Sequence, residues 1–119
     1  MRTIILFVFF TFSGIAAAQD IQLSKQDLID ILSGEMAEGV CTQDLLDCLD
    51  LSKAACSGET DTLVNGACSK QIPEGGAGID AISDLTTNVT NCVISDILSK
   101  YKQNMVKNIS TRACKAFMQ

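Results

Sequence analysis

Apolar residues along this chain recur at helical spacing from about residue 25 to the end. Leu28, Ile31, Leu32 and Met36 lie three and four apart, the stripe expected on one face of an α-helix. Ser24 stands before this run with Asp27 three residues on, an N-cap signal. Leu23 and Leu28 occupy the two positions of a hydrophobic staple. The pattern predicts a helix over about 25–38, ended near Gly39. Thr42 caps a second, over about 43–50, with Leu45, Leu46 and Leu49 on one face and Asp44, Asp47 and Asp50 on another. Ser52 caps a third, over about 53–70, with Cys56, Leu63, Val64, Ala67 and Cys68 on one side. Ser57-Gly58 and Asn65-Gly66 weaken this third helix, since a glycine costs about 1 kcal/mol in a helix interior.

Pro73-Glu74-Gly75-Gly76-Ala77-Gly78 is the clearest interruption of the pattern. The longest stripe follows it: Ile79, Ile82, Leu85, Val89, Cys92, Val93, Ile97, Tyr101 and Met105. It predicts one long helix over about 79–107. Ser110 caps a last short helix carrying Cys114 and Phe117. No alternating strand pattern of useful length appears. The fold class is therefore all-α: a small bundle of four to five helices with one long C-terminal helix.

The first 18 residues stand apart. Arg2, the apolar run Ile4–Phe12 and the small residues Ala16-Ala17-Ala18 have the layout of a cleaved secretory signal. The apolar run is too short to span a bilayer, which takes about 20 residues. The organisation expected is a signal peptide over 1–18 and one domain over 19–119. The mature chain starts at Gln19, has no membrane span, and resides in the periplasm or outside the cell.

That address gives the cysteines their meaning. Cys41, Cys48, Cys56, Cys68, Cys92 and Cys114 all follow the signal. An even count in a small exported domain reads as a disulfide framework of three bridges. No Cys-x-x-Cys pair supports zinc. The best pairing from a straight-helix argument is Cys56–Cys92. If the third and long helices run antiparallel across the 71–78 connector, Cys56 falls opposite about residue 93. Cys68 then pairs with Cys41 or Cys48, and Cys114 with the other. Seven residues separate the second and third cysteines and twenty-one the fifth and sixth. These gaps fit neither insect odorant-binding nor plant lipid-transfer nor saposin-like patterns.

Charge adds a polarity. Residues 19–98 carry all 14 acids against Lys25, Lys53 and Lys70; residues 99–119 carry Lys100, Lys102, Lys107, Arg112 and Lys115 and no acid. These five form a candidate docking patch for an acidic surface. Net acidity argues against nucleic acid as a partner. The chain has no His, which removes the usual neutral general base and Ser-His or Cys-His pairs. The aspartate stripes, including Asp80 and Asp84, read as solvated faces. Gly75, Gly76 and Gly78 read as a helix–helix connector, with no dinucleotide or phosphate-loop motif. Neither an enzyme nor a bound cofactor is expected. Asn88-Val89-Thr90 and Asn108-Ile109-Ser110 match the N-glycosylation pattern.

The function these observations favour is binding another macromolecule, most plainly a protein, as an inhibitor, an immunity protein or an assembly accessory. The alternative is a carrier of a small apolar ligand, with Met36, Met105 and Met118 lining a helical pocket.

Overall fold

The computed structural model describes residues 21–119. The signal peptide expected over 1–18 and its expected cleavage site lie outside the described residues. Within them the chain is all-α, with six helices and three disulfides.

The capping residues behave as their chemistry dictates. Helix α1 (Lys25–Val40) opens at Ser24, whose hydroxyl accepts from the Asp27 amide at 3.2 Å. Helix α2 (Gln43–Leu49) opens at Thr42 and α3 (Lys53–Asn65) at Ser52, each accepting from the amide three residues on. Each cap satisfies one of the helix's unpaired first-turn N–H groups. Leu28, Leu32 and Met36 are buried, but Ile31 is 42% exposed and lies off the packed stripe. Leu45, Leu46 and Leu49 are buried, and Asp44, Asp47 and Asp50 face solvent. Helix α1 packs most extensively on α3, and α2 on the chain's C-terminal turn.

The structure departs from the straight-helix reading at three places. First, α3 runs unbroken through Ser57-Gly58 but stops at Asn65. At Gly66 the backbone turns (φ −116°, ψ −109°) into a 3₁₀ segment, Ala67–Gln71. A Cβ on Gly66 would stand 2.9 Å from the Thr62 carbonyl oxygen, so the turn exploits the missing side chain. Second, the glycine-rich connector carries a strand. Ala77–Gly78 (β2) pairs antiparallel with Gln22–Leu23 (β1). Gly76 has φ +81°, and a Cβ there would lie 1.9 Å from the Leu23 carbonyl oxygen. Only glycine permits that approach. Third, the long stripe is divided. A 3₁₀ turn, Ile79–Ala81, leads into α4 (Ile82–Lys100). The helix ends at Tyr101 (φ −106°, ψ 25°), and a separate α5 (Lys102–Lys107) follows. The last helix, α6 (Arg112–Phe117), is capped by Thr111 rather than Ser110.

These turns overturn the expected Cys56–Cys92 bridge. The bridges are Cys41–Cys56, Cys48–Cys114 and Cys68–Cys92. Cys68 does not continue α3. It sits in the 3₁₀ segment, which folds back onto α4 and reaches Cys92 at a Cα separation of 5.7 Å. The connector meanwhile detours past β1, so levels counted along two straight helices do not correspond. Cys56, at the start of α3, meets Cys41 at the end of α1. Cys114 takes Cys48, one of the two partners left open for it, and does not reach Cys68.

The core is one cluster built from α1–α4, the 3₁₀ segment and Cys114. Val64, Val89 and Val93 are fully buried, and Ile72 and Ile97 are 1% exposed. Thr60 is buried too, yet its hydroxyl donates to the Cys56 carbonyl at 2.9 Å. Among the described residues no buried side-chain nitrogen or oxygen lacks a partner, as stable interiors require. None of the described helices is long and apolar enough to cross a membrane. Three disulfides fit an oxidising, extracytoplasmic compartment.

Candidate functional site

The cationic C-terminal segment is held on the body of the protein by asparagine hydrogen bonds and a disulfide. The last carbonyls of α2 lack helical partners, as at any helix C-terminus. Asn104 donates its side-chain N–H to the Leu49 carbonyl at 2.7 Å. Asn108 donates to the Cys48 carbonyl at 2.9 Å and to Asp50 Oδ2 at 3.0 Å. Asp50 closes α2 in the left-handed conformation, φ 53°. The Cys48–Cys114 disulfide then ties α6 to the same turn. The bend at Tyr101 is what lets α5 turn onto α2. These asparagine clamps were not recognised from sequence. The only signal was two asparagines four residues apart, on one face of a helix.

The five cations divide within this frame. Lys100 is tied back to the body by an ion pair with Glu59 of α3. Tyr101 donates its hydroxyl to the same Glu59 oxygen at 3.3 Å, and the lysine nitrogen lies 5.7 Å from the tyrosine ring centre. The hydrogen bond to Glu59, aided by that carboxylate's charge, raises the Lys100 pKa above its ordinary value. Lys107 lies 4.0 Å from Asp50, with both side chains largely in solvent. Lys102, Arg112 and Lys115 are exposed and have no ion pair among the described residues. Arg112 and Lys115 line an open depression of about 450 Å³ with Ser110, Ala116 and Gln119. Val106, Ile109 and Met118 on the same segment are 57%, 46% and 51% exposed. The segment thus offers cations and bare apolar side chains together.

The other sequence candidates fare differently. Met36 is in the core, Met105 is half-buried and Met118 is exposed, so the three methionines occupy unlike surroundings. Asp80 and Asp84 are exposed. Of the two glycosylation matches, Asn88 is exposed on α4, whereas the Asn108 nitrogen is engaged in the clamp. A glycan on Asn108 would take one of the two Nδ2 hydrogens and so remove at least one of these hydrogen bonds. Cys68, Cys92 and Asp96 bring a set of metal-ligand type within 4.8 Å. Both sulfurs are joined in the disulfide, so no thiolate is available there for a metal.

Comparison with protein-family models, curated proteins and solved structures finds no match to this chain.

Proposed function

We propose that this is an exported, disulfide-stapled helical protein that binds an acidic protein surface through its C-terminal segment. The observation that carries the reading is that Lys102, Arg112 and Lys115, free of ion pairs among the described residues, share one stretch of chain with exposed Val106, Ile109 and Met118. Cations steer an acidic partner and set the association rate, while exposed apolar side chains supply area to bury. The clamp to α2 supports the reading as well. A segment held in place before binding loses less conformational entropy on docking.

Export is part of the proposal. Cleavage after Ala18 leaves Gln19 as the first residue, and the oxidising compartment closes all six cysteines. Intact mass of the exported protein, before and after reduction and alkylation, should show a chain beginning at Gln19 with no free thiol. A retained Met1–Ala18 would remove the signal-peptide reading.

The binding test uses a polyglutamate-coated surface as the acidic probe. The wild type is expected to associate at low ionic strength and to weaken as salt screens exposed charges beyond about 8–10 Å. Reversing two free cations, with Lys102→Glu and Lys115→Glu, should slow association by about tenfold. Lys100→Glu is the informative contrast. It reverses one cation rather than two, so the effect on association should be smaller. Association that ignores both salt and the double reversal would end this reading.

A further inference from the structure

The three disulfides differ in what surrounds them. Cys48, Cys114 and Cys56 are fully buried, and Cys41 is 6% exposed. Cys68 is also fully buried. Its partner Cys92, however, is only half-buried, at the edge of the core. Cys92 lines an open depression of about 420 Å³ together with Gln71, Asn88, Asn91, Ser95 and Asp96. Thiol–disulfide exchange needs a thiolate to reach a sulfur, so access and local charge decide which bond reacts. Cys92 is the one cysteine of the six that is not buried.

The walls of the depression select among thiols. Asn88, Asn91 and Gln71 present amide donors and acceptors. The Asp96 carboxylate lies within 4.8 Å of both sulfurs. A carboxylate at that distance repels an anionic thiol reagent and attracts an ammonium group.

We propose that Cys92 is an exchange site for a small aminothiol. The thiolate of the aminothiol forms a new S–S bond with Cys92 Sγ. The Cys68–Cys92 bond breaks, and its electron pair leaves with Cys68 Sγ as a thiolate, which takes a proton from water. The product is a mixed disulfide on Cys92 and a free thiol on Cys68. The ammonium of the bound aminothiol faces Asp96. The step reverses when the Cys68 thiolate attacks Cys92 Sγ and expels the aminothiol, so no further oxidant or reductant is required.

The experiment uses the mature, disulfide-intact protein with cysteamine as the aminothiol and glutathione as the anionic comparison, at matched thiolate concentrations. Acid quenching, alkylation and peptide mapping then locate free thiols and mixed disulfides over time. The Cys68 thiol and the cysteamine adduct on Cys92 should appear about tenfold faster than any thiol from the two buried bridges. Asp96 is exposed and makes no side-chain hydrogen bond or ion pair among the described residues, so Asp96→Asn should fold normally. In that variant the rate ratio of cysteamine to glutathione should fall about two- to fourfold, as expected for losing one exposed charge near the reacting sulfur. Earlier opening of Cys41–Cys56 or Cys48–Cys114 would overturn the proposal. So would simultaneous opening of all three bridges, an adduct on Cys68, or an unchanged ratio in Asp96→Asn.

Discussion

Replacing both Cys48 and Cys114 by alanine is expected to destabilise the protein by about 4 kcal/mol, the largest effect of any bridge removal. The reason is chain length. Cys48–Cys114 joins residues 66 apart in sequence, against 15 for Cys41–Cys56 and 24 for Cys68–Cys92. In the loop-entropy account a longer closed loop constrains the unfolded chain more, and the shorter two give about 3 kcal/mol each. Small domains have only about 5–15 kcal/mol of net stability, so this one change removes a large fraction. It also acts locally. Without the bridge, α6 keeps its packing and the three asparagine hydrogen bonds upstream of it. The segment carrying Arg112 and Lys115 then loses its fixed placement, and association with an acidic surface should weaken even at temperatures where the rest is folded. Urea unfolding of the three double-alanine variants measures the ranking. A Cys48/Cys114 variant as stable as the Cys41/Cys56 variant would contradict it.

Leu49→Ala should cost about 3 kcal/mol, within the range of about 2–5 found for large-to-small changes at sites that cannot collapse. Leu49 is 0% exposed. It lies in the last turn of α2, where α5 and α6 both pack and where its own carbonyl accepts from Asn104. The cavity would open beneath the clamp, between elements already fixed by a disulfide, so little relaxation is available to fill it. Ile31→Ala is the control. Both residues sit on a helical apolar stripe in the sequence, but Ile31 is 42% exposed, and its truncation should cost about 0.5 kcal/mol, as surface changes do. Chemical denaturation of the two variants compares them directly. Equal losses would mean that burial does not distinguish the two positions.

The contrast between Leu49 and Ile31 shows where sequence reading reaches its limit. A stripe three and four residues apart identifies a helix and its apolar side. It does not say how wide a strip the neighbouring elements cover. On α1 the covered strip takes in Leu28, Ile29, Leu32 and Met36 and leaves Ile31 at its edge. The same holds for Ile79, which continues the long stripe in sequence but is 53% exposed beside the β1–β2 pair. Among the cations, five were legible as a group. That Lys100 is held by Glu59 was not, because the two are 41 residues apart.

Local chemistry along the chain determined the class of this protein. Serine and threonine caps, helical apolar spacing and a proline–glycine interruption act over three or four residues, so each can be read in place. The all-α architecture follows from them, while the cysteine count and the distribution of residue types along the chain give the three-bridge framework and the uneven charge. Tertiary structure decided which cysteines meet, which lysine is answered and where the basic segment sits. Those outcomes depend on the path of the backbone between distant residues. That path is redirected at three points. Gly66 folds the 3₁₀ segment back onto α4, Gly76 lets the connector pass against β1, and the bend at Tyr101 turns α5 onto the open carbonyls of α2. A change of direction at each point redirects everything beyond it, so Cys48–Cys114, whose loop contains all three points, and Cys68–Cys92, whose loop contains Gly76, register those turns rather than any local pattern.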